Sequence, residues 1–233
     1  MKKKVLLIIP AYNEEANILK VCNSIKKDGR YDYVVINDGS VDNTEKICIE
    51  NKLNHITLVH NLGIGGAVQT GYKYAYEYCY DIAIQFDGDG QHNVKYVEHI
   101  IEPIIKGKAN MVIGSRYIEN KSKFRSTKAR QAGIKLISFF IKLGTGKKIY
   151  DTTSGFRAVD KDIIKLFSKD YPLEYPEPVS TVEILKKKMK ISEVAVEMNE
   201  REGGVSSIKA WKTVYYMVNV IFSIIVTSIR RYK

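Results

Sequence analysis

Short apolar runs alternate with longer amphipathic stretches through the first half of the chain. Lys4–Ile9, Tyr33–Ile36, His55–Val59, Asp81–Phe86 and Asn110–Ile113 are rich in Val, Ile and Leu and predict strands. The intervening stretches, Glu14–Lys27, Asp42–Asn51, Ala67–Tyr80 and Val94–Lys106, predict helices. Continuous apolar strands separated by helices imply a parallel sheet covered on both faces. The second half is less regular. It predicts a loop over 121–128, a helix over Arg130–Leu143, a loop over 144–157 and a helix near Lys161–Phe167. A Pro-rich loop over 171–178, a helix over 179–188, a strand over Glu193–Met198, a polar loop over 200–207 and a long helix from about Ile208 complete the pattern. The expected organisation is one α/β domain over 1–207 with a C-terminal helix over 208–233.

Ligands of open α/β sheets bind beyond the carboxyl ends of the strands, and the polar motifs cluster at those ends. The first strand runs into Pro10-Ala11-Tyr12-Asn13-Glu14-Glu15, the second into Asn37-Asp38-Gly39-Ser40-Val41-Asp42, and the fourth into Asp87-Gly88-Asp89-Gly90-Gln91-His92. Together they set an aromatic ring, an amide and several carboxylates around one crevice. Asp38 can accept from the ring N–H of a base. Asp87 and Asp89, at i and i+2 on an extended strand end, offer oxygen ligands to a hard cation such as Mg²⁺ or Mn²⁺, with Gln91 as a third. Such ions keep positions open for phosphate oxygens, so few protein ligands suffice. An EF-hand reading of the same stretch fails because His92 stands where the loop needs Gly. Gly63-x-Gly65-Gly66 lacks dinucleotide-loop spacing and reads as a tight turn with close helix packing.

The chain resembles the family 2 glycosyltransferases with the GT-A fold, a Rossmann-like, mostly parallel sheet with helices on both faces. The resemblance rests on Pro10–Glu15, Asn37–Asp42, Asn61-Leu62-Gly63 and Asp87-x-Asp89. Within that family it is most similar to polyprenyl-phosphate sugar synthases of the dolichyl-phosphate mannose synthase type, through Gln91-His92, Gly114-Ser115-Arg116, Thr153–Arg157 and Arg201–Ser206. The resemblance implies that Pro10, Tyr12, Asn13, Glu14 and Asp38 hold the nucleoside, and that Asp87, Asp89 and Gln91 hold the metal and, through it, the diphosphate. It further implies that Arg116, Arg130 and Arg157 face an acceptor phosphate, and that Arg201 and Ser206 close over the donor. Asp89, Arg116, Arg157 and Glu177 are the candidate catalytic residues, Glu177 as a base should the acceptor be a hydroxyl. The chain departs from the pattern at Ser207, where many such synthases carry Lys. The expected reaction is an inverting transfer from a nucleotide-diphosphate sugar, a UDP-sugar being favoured, to an undecaprenyl-type phosphate for cell-surface glycan synthesis. The alternatives are transfer to the hydroxyl of a lipid-linked glycan, or a nucleotide-sugar-binding subunit without turnover.

Charge sharpens the choice of partner. The net charge is +11, yet residues 121–150 hold nine Lys/Arg and no acid, and residues 205–233 hold five and no acid, which leaves the remainder at −3. Charge so concentrated implies an anionic surface. A nucleic-acid module is disfavoured because these stretches are interleaved with aliphatic residues and contain no recognition motif. Val214–Ile229 is about 24 Å long as a helix against a hydrocarbon core of roughly 30 Å, too short for a comfortable span. Lys212, Tyr216, Asn219, Ser223, Thr227 and Arg230 form a polar stripe along it. Lys128, Gln131, Lys135, Ser138 and Lys142 form another, opposite Ile134, Ile137, Phe140 and Ile141. Both helices therefore suit the bilayer interface on the cytoplasmic face of the membrane; the other readings are that the first packs on the core and the last on a second copy or a small membrane subunit. Met1–Lys4 and the apolar run behind it are not read as a signal peptide, because the run stops at Pro10. The three cysteines, Cys22, Cys48 and Cys79, are expected to be buried thiols in a reducing cytosol.

Overall fold

Alternation along the strands fixes which face each apolar side chain joins. In β1 (Val5–Ala11), Leu6 and Ile8 enter one buried cluster while Val5, Leu7 and Ile9 enter the other. A computed structural model describes residues 3–118, 128–199 and 210–230, with the side chains of 128–130 and 210–215 left out. Seven strands form one sheet in the order β3-β2-β1-β4-β6-β5-β7. The others are β2 (Asp32–Asn37), β3 (His55–Thr57), β4 (Ile82–Gln85), β5 (Met111–Ser115), β6 (Arg157–Asp160) and β7 (Ile191–Ala195). β1 pairs in parallel with β2 on one side and β4 on the other, so the sheet's winding reverses there and opens a crevice beyond its carboxyl edge.

Helices α1 (Ile18–Asp28), α2 (Thr44–Glu50) and α4 (Val97–Ile105) cover the face that receives Leu7 and Ile9. The opposite face carries α3 (Gly63–Glu77), α5 (Lys128–Thr145), α6 (Lys161–Lys169), α7 (Pro176–Lys186) and α8 (Ala210–Ile229). The expected layered α/β architecture is therefore observed.

Four expectations need correction. β6 lies inside the sheet, antiparallel to both β4 and β5, where the sequence predicts a loop that ends at Arg157 and no strand after it. α7 begins at Pro176 rather than Val179, because proline's fixed φ suits the first helical position. Cys79 is exposed, in a left-handed turn that ends α3, whereas Cys22 and Cys48 are buried as expected. The two amphipathic helices are also oriented differently. On α5, Ile134, Ile137 and Ile141 enter the core, while Leu136, Phe139 and Leu143 stay exposed. On α8, Tyr216, Asn219, Ser223 and Thr227 are half-buried, Val220 and Ile224 join the core cluster, and Val218, Phe222, Ile225, Val226 and Ile229 face outward. The Tyr216–Thr227 part of that polar stripe thus turns inward, Arg230 is exposed, and Val218, Phe222, Ile225, Val226 and Ile229 make an apolar outer surface. Among the described residues no helix is long and apolar enough to cross a membrane.

α3 approaches β1 closely only because residue 71 is glycine: a Cβ there would stand 2.9 Å from Ile8 Cγ1 and closer still to Cγ2. Gly71→Val should lower unfolding stability by about 1–3 kcal/mol through overpacking, read from urea denaturation midpoints at unchanged m-value.

Candidate active site

The carboxyl ends of β1, β2 and β4 meet at a crevice of about 380 Å³ walled by Pro10, Tyr12, Glu14, Asp38, Asp87 and Asp89, with Gly63 and Ile64 from the start of α3. Tyr12 is about half exposed, leaving its ring face accessible. Asp38 is buried, and its Oδ1 accepts from the backbone N–H of Leu62 at 2.7 Å, which ties the β2 end to the α3 N-terminus. Gly63 N donates to Asn61 Oδ1 at 3.0 Å, and the helix start beyond it brings the partial positive charge of a helix N-terminus to the crevice wall, a fit for phosphate. Gly65 allows the backbone of Pro172–Leu173 to rest on the same turn, since a Cβ there would meet Pro172 O at 2.6 Å. The glycines therefore serve close packing, as the sequence suggests.

Asp87 is seated by its surroundings. Its N–H donates to His92 Nδ1 at 2.9 Å, its Oδ1 accepts from Gln85 Nε2 at 3.3 Å, and its Oδ2 lies 3.5 Å from His92 Nε2. A Cβ on Gly155 would stand 3.0 Å from Oδ2, so only a bare backbone fits beside the carboxylate. Burial pushes the His92 imidazole down to about 4, so it is neutral and Nδ1 can accept. It also stacks on Phe156 with ring centroids 4.6 Å apart. Asp89 Oδ1 accepts from Gln91 N at 3.0 Å. Among the described residues no three His, Cys, Asp or Glu side chains are clustered to hold a metal by themselves. Two hard-oxygen carboxylates that border a phosphate-sized space nevertheless fit Mg²⁺ or Mn²⁺ completed by substrate oxygens.

The other expected residues divide. Pro10, Tyr12, Glu14, Asp38, Asp87 and Asp89 come together. Asn13 is instead spent on the neighbouring turn, its N–H donating to Ser40 Oγ and its Oδ1 accepting from Val41 N. Gln91 is not part of the crevice wall. Arg116 is buried against Asp151, with Nε and Nη2 each 2.8 Å from a carboxylate oxygen, and Nη2 also reaches Thr153 Oγ1 at 3.0 Å. Burial opposes its charge, and the Asp151 contacts outweigh that, raising its pKa. It borders an open groove of about 710 Å³ together with Gln131, Lys135, Lys142, Lys148 and Tyr150.

Arg157 does not face that groove. It is 1% exposed, and its guanidinium donates to Ser154 O, Thr152 O, Glu177 O and the hydroxyls of Ser180 and Thr181. It anchors the first turn of α7 to β6, an internal role that corrects the expectation of an acceptor contact. Glu177 is half-buried within that turn. Burial raises its pKa, Arg157 pulls it back, and the nearby Asp87 raises it further, so the carboxyl lies within electrostatic reach of Asp87. Arg130 lies in α5 with its side chain outside the described atoms, and Arg201 and Ser206 lie outside the described residues.

Three contributors were not singled out from the sequence as such. His92 holds the backbone of Asp87, although its place beside the acid motif hinted at a part in the site. Asp151 fixes Arg116, and its separation of 35 residues gives no local signal. Asn199 clamps the acid loop, its N–H donating to Gln91 O at 2.9 Å and its Nδ2 to Gly90 O at 3.2 Å.

Comparison with known proteins agrees with this geometry. A UDP-N-acetylglucosamine–dolichyl-phosphate N-acetylglucosaminyltransferase of Methanococcus voltae is 36% identical over 208 residues, covering 82% of each chain. A polyprenol monophosphomannose synthase of Mycolicibacterium smegmatis is 25% identical over 217 residues, covering 88% of this chain and 80% of the relative. Among solved structures, glucosyl-3-phosphoglycerate synthase from Mycobacterium tuberculosis, in complex with Mn²⁺, UDP-glucose and phosphoglyceric acid, superposes with a TM-score of 0.72. That match covers 99% of this chain and 81% of the other at 16% identity, a likeness of fold. The glycosyl transferase family 2 pattern matches residues 6–167. With the acid-lined crevice at the sheet's reversal point, this shows that the chain belongs to glycosyl transferase family 2 and is a glycosyltransferase.

Proposed function

We propose that the protein transfers a sugar from a nucleotide-diphosphate donor, a UDP-sugar by preference, to a polyprenyl phosphate at a membrane surface, with Mg²⁺ or Mn²⁺ as cofactor. The carrying observation is that Tyr12, Asp38, Asp87 and Asp89 border one crevice at the α3 N-terminus. Tyr12 stacks on the base, Asp38 accepts from it, and the first N–H groups of α3 meet the diphosphate. Asp87 and Asp89 would hold the cation, which when bound would supply Lewis-acid stabilisation to the departing diphosphate. A phosphate acceptor is already anionic at neutral pH, so no side chain need remove a proton. Arg116, with the lysines of the adjoining groove, binds that acceptor and sets it for attack at the anomeric carbon with inversion. Glu177 borders the sugar and would act as base only toward a hydroxyl. The names of the two relatives above, one a dolichyl-phosphate and one a polyprenol enzyme, support this acceptor class.

Membrane seating is proposed from the outward apolar residues of α5 and α8, Leu136, Phe139 and Leu143 beside Val218, Phe222 and Ile229. Lys135 and Lys142 lie on the same helix as the first three and open onto the groove. An apolar face edged by lysines suits the acyl boundary and anionic headgroups of a cytoplasmic leaflet.

Asp89→Ala should reduce transfer by about 10²–10³-fold while leaving the thermal unfolding midpoint within a few degrees of wild type. Full turnover in the presence of a chelator would remove the metal from the mechanism. Phe139→Asp combined with Phe222→Asp should abolish co-flotation with vesicles containing anionic lipid. Unchanged flotation would place the attachment elsewhere, and loss of a dimer in the variant would assign the face to a second copy.

A further inference from the structure

β7 is the edge strand beyond β5, paired in parallel so that Glu193 lies beside Ile113, two residues before Ser115 and three before Arg116. From there its carboxylate reaches the loop between α5 and β6. Oε1 accepts from Asp151 N at 2.8 Å, and Oε1 and Oε2 accept from Tyr150 N at 3.1 and 2.9 Å. Two successive backbone N–H groups converging on one anion form a nest, which fixes the dihedrals of the turn that makes it. Asp151, held this way, is fully buried and grips Arg116 through its backbone N–H at 3.0 Å, its Nε and its Nη2. The chain of contacts runs from Glu193 on β7 to the Tyr150–Asp151 turn and then to the guanidinium at the edge of the basic groove.

We propose that Glu193 is a positioning residue for acceptor binding: its carboxylate sets the Tyr150–Asp151 turn, which holds Arg116 in place. Arg116 has a long side chain with several rotamers, and its bidentate partner fixes its fork only if that partner is itself fixed. Asp151 sits in a loop tied on either side, at Ile149 O by Ser138 Oγ and at Thr152 O by Arg157, while the N–H groups of Tyr150 and Asp151 between those ties are held by the Glu193 carboxylate. Lys148 and Tyr150 share that loop and border the same groove, so the turn Glu193 secures also forms part of the groove wall. The donor crevice includes none of these residues. Disturbing Glu193 therefore affects one substrate and spares the other.

This inference rests on the polyprenyl-phosphate reading for its kinetics and on geometry alone for the restraint, and the test separates the two. Glu193→Gln keeps the volume but turns an amide N–H₂ toward one of the backbone N–H groups. Amide hydrogen exchange at Tyr150 and Asp151 should accelerate about tenfold or more, with the β5–β7 ladder unchanged. With undecaprenyl phosphate in detergent as the probe acceptor, acceptor kcat/KM should fall by about tenfold or more, while stabilisation by UDP with Mn²⁺ stays at the wild-type level. Unchanged exchange at both amides would overturn the restraint. Faster exchange without an acceptor defect, or an equal loss on donor and acceptor, would overturn the positioning role. If wild type transfers nothing to undecaprenyl phosphate, the acceptor reading fails while exchange still decides the restraint. Should Glu193→Gln fold too poorly to assay, Glu193→Asp, which keeps the charge but withdraws it by one methylene, carries the same expectations.

Discussion

The Asp87 carboxylate sits where the winding of the sheet reverses, and the packing around it fixes where it sits. The backbone N–H of Asp87 is held by a neutral histidine at the bottom of an aromatic stack. The flank of the carboxylate is open only because residue 155 is glycine, and Gln85 one turn of pleat earlier contacts Oδ1. A carboxylate left to its own rotamers would lose side-chain entropy on binding a cation. One already held in place loses less, which is the physical sense of preorganisation. The crevice, the helix N-terminus opposite and the acid loop clamped by Asn199 are all arranged around that fixed point.

Charge in the molecule is divided by side. The crevice at the start of α3 is acidic, with Asp38, Asp87 and Asp89 around a space where a dianionic diphosphate would need a counter-charge. The adjoining groove is basic, with Arg116, Lys135, Lys142 and Lys148. A metal-bound donor suits the first and an anionic acceptor suits the second. Arg116 lies near enough to Asp87 for that carboxylate to favour the guanidinium's charge. Arg157, which carries the same charge, serves a different purpose. Buried among carbonyl and hydroxyl oxygens, it links β6 to α7 and keeps Glu177 within electrostatic reach of Asp87. Leaving such a guanidinium without its acceptors would cost several kcal/mol, on the order of breaking a buried pair.

The sequence made most of the donor side legible. Continuous apolar runs located β1, β2, β4 and β5, and the motifs that follow β1, β2 and β4 share a crevice because parallel strands end on the same side. The acceptor side was harder to read. β6 is four residues long and begins with a buried arginine, so no hydrophobic alternation announces it. Arg157 falls in a motif that suggests substrate contact, and only its burial reveals an internal role. Asp151 meets Arg116, and Glu193 meets Asp151, through contacts 35 and 42 residues apart in the chain, which no local pattern encodes. The amphipathic stripes of α5 and α8 were visible, but amphipathicity does not say which face turns inward. Thr227 and Ser228 turn their hydroxyls back onto carbonyls of α8 itself, Asn219 and Ser223 are half-buried, and the aliphatic residues stay outside.

The most direct measurement is anomalous diffraction from crystals grown with UDP and Mn²⁺. A single manganese peak is expected within bonding distance of a carboxylate oxygen of Asp89 and of the diphosphate, with the uracil against the Tyr12 ring and beside Asp38. A diphosphate bound in the crevice without the ion, or manganese found only away from Asp87 and Asp89, would contradict a donor site organised around those two acids.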